Sequence, residues 1–344
     1  MSEISIRIEG CAGRITLTRP QALNAVTYDM CRAIEAALDA WREDDAVKLV
    51  IIDAEGDKAF SAGGDITDLY RTGRAGDFAY GQTFWRDEYR LNAKIAEYPK
   101  PYVALMQGFV MGGGVGISCH GSHRVVCEST QIAMPEVGIG LVPDVGGSLI
   151  LARAPGRLGE YFGTTGARMG PADAIHVGFA DSYVPRLNWP ELIATLSETG
   201  DLSAIETQSE TPPQGAASSL AAQTDTHFGG DSLLDIVNSL KSSDSDFAAE
   251  TLKTLRRNAP LSMACAIEMI HRLRRPGTTI RDALELEYRF TFRAMEKGDF
   301  LEGIRAAVID KDRAPNWQHD LDTPPQLAAT QMLMPLGANK LTFD

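Results

Sequence analysis

The stretch KPYVALMQGFVMGGGVGIS, Lys100 to Ser118, decides the fold. Its first half, PYVALMQG, is a short continuous apolar run, the pattern of a strand buried on both faces. Three glycines follow, Gly112 to Gly114, and Val115 to Cys119 then predict a helix whose first amides point outward, where the helix dipole favours negative charge. Strand, glycine bend and helix in succession make one unit of an α/β arrangement. A dinucleotide-binding fingerprint is the obvious rival. It fails because GGGVG has no third glycine at the right step, and no acid ends a following strand about 20 residues on, whereas close packing of a helix against a sheet stays open as the plainer reading of these glycines.

Working outward, Ile4, Ile6 and Ile8 alternate with polar neighbours and ITLT repeats the pattern after a glycine turn, which predicts an N-terminal hairpin. Met30, Ile34, Ala37, Leu38 and Trp41 recur at helical spacing between Tyr28 and Trp41, with Thr27 as the cap. KLVIIDAEG reads as another buried strand, and RVVCE and QIAM as shorter ones. Strands alternating with helices define the class as α/β. Between roughly Thr199 and Gly230 the chain turns to Ser, Thr, Gln, Gly and Pro, which reads as a long connection. Beyond it FAAETLKTLRRNA, SMACAIEMIHRLRR and IRDALELEYRFTFRAMEK predict helices, and the residues after Pro315 look irregular. The organisation expected is a core over 1–190, a variable connection over 191–230 and a C-terminal helical region over 231–344.

Composition limits function. With 344 residues, 44% hydrophobic and 23% charged, the chain can bury a large core. A net charge of -13 with no basic stripe argues against a nucleic-acid partner. Five scattered cysteines without a CxxC pair suggest neither a disulfide framework nor a zinc site and fit a reducing cytoplasm. The opening MSEISIRIEG lacks the build of a signal peptide and no 18-residue apolar run occurs, so a cytoplasmic location away from membranes is expected.

Two further segments carry chemistry. In KAFSAGGDITDLY, Ala62, Gly63, Gly64 and Asp65 follow a strand, and small residues there let main-chain amides approach a ligand; the plainer alternative is a strand-to-helix turn capped by Asp65. In MPEVGIGLVPDVGGS, Pro135 and Pro143 stiffen the backbone before Glu136 and Asp144. Those acids could be a solvated loop carboxylate and the cap of a helix starting near Val145. Their apolar flanks instead point to raised carboxyl pKa values and acid or base work. Ser61, Ser118, His120 and His123 do not form a hydrolase elbow or a metal set.

Taken in order, RPQALNAV, FSAGGDI, KPYVALMQGFVMGGGVGIS and MPEVGIGLVPDVGGS resemble the crotonase superfamily of enoyl-CoA hydratases and isomerases, over nearly the whole chain. The late stretch EYRFTFRAMEKGDFLEGIRAAVIDKDRAPNW is similar to the 3-hydroxyisobutyryl-CoA hydrolase branch. The resemblance implies a crotonase-like ββα spiral core, with a C-terminal helical region. It implies that the amides of Ala62 and Gly113 form an oxyanion hole around an acyl-CoA thioester, with Gly63, Gly64, Asp65, Gly112 and Gly114 lining the substrate. Glu136 matches the family glutamate, as base or nucleophile, and Asp144 supplies a second acid. Glu88, otherwise a helix-surface acid beside Arg86 or Arg90, would reach the acyl hydroxyl. Hydratases carry a second glutamate where this chain has Gly116, which weakens the hydratase reading.

The activity expected is hydrolysis of a short hydroxyacyl-CoA, above all 3-hydroxyisobutyryl-CoA in valine breakdown. An enoyl-CoA hydratase or isomerase, or a silent acyl-CoA-binding protein, is the alternative. CoA phosphates need local positive charge, for which Arg19 to Ala25, Lys311, Arg313 and Arg272 to Arg275 are candidates. The partners expected are the acyl-CoA and further copies of the chain, with no metal or redox cofactor.

Overall fold

Among the described residues nine strands build two sheets, and the order in which the chain visits them sets the course of the fold. A computed structural model describes residues 3–343. β1 (Ile4–Glu9) and β2 (Ala12–Leu17) form the expected antiparallel hairpin, with Ile4 opposite Leu17 and Glu9 opposite Ala12. Parallel strands β3 (Leu49–Ala54), β5 (Tyr102–Met106), β7 (His123–Val126) and β9 (Ser182–Tyr183) extend that sheet in the order β1-β2-β3-β5-β7-β9. β4 (Ala59–Ser61), β6 (Phe109–Met111) and β8 (Gln131–Ala133) form a second, all-parallel sheet. Each circuit of the chain therefore adds one strand to each sheet, the strand-strand-helix spiral that the resemblance implies.

The described chain divides into two compact units that interleave along the sequence. The first holds 1–65, 90–133 and 168–218; the second holds 66–89, 134–167 and 219–344. This is not the consecutive division into 1–190, 191–230 and 231–344 that composition suggests, because composition reports local polarity and not long-range packing.

Both sheets belong to the first unit. Every residue of β5 is buried, as is β3 up to Asp53, which fits continuous apolar runs covered on both faces. Leu49, Ile51, Val103, Leu105 and Val125 pack with Trp189, Leu192 and Leu196 of the helix Trp189–Thr199, and with Ile205 of Ser203–Gln208. Each such side chain contributes about 1.5–3 kcal/mol by leaving water. The helix Tyr28–Arg42 is capped as expected, Met30 N–H donating to Thr27 Oγ1 at 3.2 Å.

The second unit is helical. Its centre is Pro260–Leu273, whose residues are almost all buried, packed by Gly147–Arg153, Leu158–Thr165 and Gln326–Met332. Ile280–Lys297 begins at a capping box: Thr279 Oγ1 accepts from Asp282 N, and the Asp282 carboxylate accepts from Thr279 N at 2.8 Å. The expected connection between Thr199 and Gly230 contains helices, Ser203–Gln208 and Ala217–His227, and the tail after Pro315 contains Gln326–Met332. These were hidden because each buries only a few apolar side chains, such as Ile205, Ala217 or Met332, among polar neighbours.

Candidate active site

In the first unit, β4 and β6 are parallel neighbours, so the bends that follow them, Ala62 to Asp65 and Gly112 to Gly114, leave the sheet at the same edge. The helix Gly113–Ser118 starts at once after Gly112, whose φ of 47° is left-handed. Gly114 lies so close to β4 that a Cβ would stand 2.7 Å from the Ser61 carbonyl oxygen, which explains the requirement for glycine. The Gly113 N–H opens the helix and donates to no described residue.

The neighbouring bend corrects one expectation. Ala62 N–H donates to the Leu23 carbonyl at 3.0 Å, so it is not free to receive an oxyanion. Gly63 N–H bonds Ser61 Oγ at 3.3 Å, its carbonyl accepts from Val26, and Asp65 N–H donates to Val26. Gly64 N–H alone in this bend has no acceptor among the described residues. The amide available beside Gly113 is thus that of Gly64. Residue type does not reveal which amide of a glycine bend is spent on the turn.

Asp65 is not a helix cap either: the helix Thr67–Arg74 begins after Ile66, and Asp65 Oδ2 accepts from Arg19 at 3.2 Å. The Arg19 guanidinium also bonds Ala25 O and Glu3, which commits it within the protein and removes it as a free phosphate ligand. Among the other basic candidates, Arg272 pairs with Glu268 and Arg274 with buried Glu160, while Lys311 and Arg313 are exposed.

In the second unit the acids converge. Glu88 and Tyr89 stand on the helix Phe78–Ala96, Glu136 opens a short 3-10 turn after Pro135, Asp144 follows Pro143, and Glu287 comes from Ile280–Lys297. All are buried: Glu88 3%, Tyr89 0%, Glu136 5%, Asp144 4% and Glu287 0% exposed. Glu88 is therefore no surface acid, and Glu136 no solvated one. Asp144 does not cap a helix, since the following helix starts at Gly147 after Gly146. Tyr89 O–H donates to Asp144 Oδ2 at 2.7 Å. Glu287 accepts from Gly146 N–H at 2.8 Å and from Ser148 N–H and its hydroxyl. Oε2 of Glu136 is buried with no hydrogen-bond partner among the described residues.

This crowding sets the protonation. Burial, then the Asp144 charge, pushes Glu88 and Glu136 well above the usual carboxylate range, with Glu287 adding to the effect on Glu136. Burial lifts Asp144 to about 7, although the Tyr89 hydrogen bond opposes it. Glu287 is pushed up to about 8 by burial and by Asp144, against the Ser148 and Gly146 donors. Four carboxyls so placed cannot all ionise near neutral pH; they share protons, the condition for moving one during a reaction.

Tyr89, Ser148 and Glu287 escaped the sequence reading. Glu287 had a visible signal: it occupies the buried stripe Ala283, Leu284, Glu287, Phe290, Thr291, Ala294 of its helix, where an acid is out of place. Among the described residues no group of three or more His, Cys, Asp or Glu is arranged to hold a metal ion, and no helix is long and apolar enough to cross a membrane.

The fold and these sites define an acyl-CoA enzyme of the crotonase class. The model of the enoyl-CoA hydratase/isomerase family matches residues 12–329, and the chain belongs to that family. It is 39% identical to the 3-hydroxyisobutyryl-CoA hydrolase, mitochondrial, of Danio rerio, covering 92% of this chain and 85% of that one. The Gallus gallus protein of the same name is 36% identical, covering 99% of this chain and 91% of that one. A crystal structure of an enoyl-CoA hydratase from Rhodobacter sphaeroides 2.4.1 is 55% identical with a TM-score of 0.96, covering 99% of this chain and 100% of that one. A carnitinyl-CoA dehydratase from Mycobacterium thermoresistibile is 37% identical with a TM-score of 0.94, covering all of this chain and 99% of that one.

Proposed function

We propose that the protein hydrolyses a short hydroxyacyl-CoA thioester, with 3-hydroxyisobutyryl-CoA as the substrate that fits best, which would place it in valine catabolism. In this reading the thioester oxygen is received by the amides of Gly64 and Gly113. Such donors are worth about 3–4 kcal/mol each in a transition state. Water attacks the carbonyl carbon, Glu136 takes the proton, the C–S bond breaks, and CoA leaves as a thiolate that is protonated in turn. Alternatively Glu136 attacks first and water opens the resulting mixed anhydride. Asp144 and Glu88 bind the acyl hydroxyl and orient the water. The carboxyl sharing described above supplies a proton carrier near neutral pH.

The observation that carries the reading is Glu136: a buried carboxyl whose Oε2 meets no described donor, beside a second acid from the same stretch. Two features favour hydrolysis over hydration. The helix Gly113–Ser118 bears no acid where Gly116 stands, and the named hydrolases match over nearly the whole chain. The Rhodobacter sphaeroides structure, by its description, favours hydration as the second reading.

The assay follows free thiol with 3-hydroxyisobutyryl-CoA and loss of the conjugated enoyl thioester with crotonyl-CoA. Thiol release without hydration is expected; hydration without thiol release overturns the proposal. A silent acyl-CoA binder would hold CoA and turn over neither ester. Single turnover in heavy-oxygen water distinguishes the routes: label appearing in the Glu136 carboxyl indicates the anhydride.

A further inference from the structure

The segment after Asp144 holds its conformation against steric preference. Val145 has φ 52° and Gly146 φ 81°, two consecutive left-handed residues, the first of them β-branched. A β-branched side chain in that region is a genuine outlier, and it persists only where the surroundings determine it. The turn closes on itself through Gly147 N–H to Asp144 O at 2.7 Å. Its other anchor is distant in sequence. Both carboxylate oxygens of Glu287 are occupied by this turn: Oε2 by Gly146 N–H at 2.8 Å, Oε1 by Ser148 N–H at 3.3 Å and the Ser148 hydroxyl. Successive main-chain N–H groups gathered in this way form an anion-receiving concavity. Here the acceptor that fills it is a carboxyl group of the protein itself.

We propose that Glu287 is a positioning residue: by filling the concavity of the Val145–Ser148 turn it fixes the carboxyl of Asp144 against Tyr89 for the reaction. The inference rests on the reading of Asp144 as an acid of the active site. A buried acid with three donors from one turn, facing Asp144, is not required to stabilise a helix. An apolar residue would do that without the burden of a fourth carboxyl.

The charged and titratable groups that face Glu287 are Asp144, whose charge acts on it, and Glu136 and Tyr89, on which its own charge acts. The test compares wild type with E287Q and S148A, using whichever CoA ester the wild type turns over. E287Q replaces one acceptor oxygen by a donor that faces N–H groups. We expect kcat to fall 30- to 300-fold with KM within threefold, the acid limb of the kcat profile to move to lower pH as the negative neighbour is lost, and Val145 to leave positive φ in a crystal structure. S148A, which withdraws only the hydroxyl, is expected to lower kcat three- to tenfold. Unchanged kcat and acid limb in E287Q overturn the proposal, and if E287Q does not fold, unchanged kcat in S148A overturns it. If the wild type turns over no ester, the functional reading fails by itself, while Val145 in the E287Q crystal structure still decides whether Glu287 holds the turn.

Discussion

A buried carboxyl oxygen with nothing to accept is destabilising by about 1–3 kcal/mol, and Oε2 of Glu136 is such an atom. Glu136→Gln keeps the shape of the side chain but removes a buried ionisable group and with it the base. Thiol release is expected to fall about 100- to 10,000-fold with KM little changed, and the melting temperature to stay level or rise. Main-chain donors need a different probe. An ester linkage in place of the Gly64 peptide N–H, introduced by semisynthesis, should lower kcat by about 100- to 1,000-fold. The same change at Ala62 removes only the bond to Leu23 and should lower stability by about 1 kcal/mol with activity retained. At this scale the acids flanked by proline were legible, because rigid backbone and apolar neighbours single out Glu136 and Asp144. Which amide is free was not, since Ala62 and Gly64 differ only in what their N–H groups meet after folding.

Among the elements, two junctions are tight enough to test. Gly114→Ala places a methyl 2.7 Å from the Ser61 carbonyl oxygen, a backbone atom that cannot swing away. The bends after β4 and β6 must then separate, with an expected loss of about 1–3 kcal/mol by thermal melting and a fall in thiol release. Thr279→Ala removes the cap of Ile280–Lys297, the helix that carries Glu287, and should lower stability by about 1 kcal/mol. Strands such as β3 and β5 were readable because unbroken apolar runs suit parallel strands covered on both faces. The short helices Ala217–His227 and Gln326–Met332 were not, because tertiary contacts and not their own pattern hold them.

For the whole molecule, the buried acids link stability to pH. Asp144 moves from 3.8 to about 7 and Glu287 from 4.5 to about 8, so the folded chain keeps protons that the unfolded chain has already released. Their contribution is full below about pH 4 and is lost as pH rises through about 7 to 8. Glu160, held low by His271, Arg274 and Arg157 against its burial, acts in the opposite sense and loses its contribution as the solution becomes acidic. Melting temperature should therefore decline between about pH 5 and 9, and Asp144→Asn should raise it more at pH 9 than at pH 5. Scanning calorimetry across that range checks both signs; an equal effect at the two pH values contradicts the assignment.

The interleaving of the two units bears on how the protein is made. Because the second unit takes 66–89 and 134–167 from within the span of the first, it is unfinished until its last segment, 219–344, leaves the ribosome. Glu88, Glu136 and Asp144 are all synthesised well before Glu287, so the nascent chain carries three of its four acids without the helix that anchors the turn after Asp144. A chain stopped by a premature stop codon near residue 280 would retain every strand yet lack that anchor, and such nonsense products should be inert and short-lived in the cell.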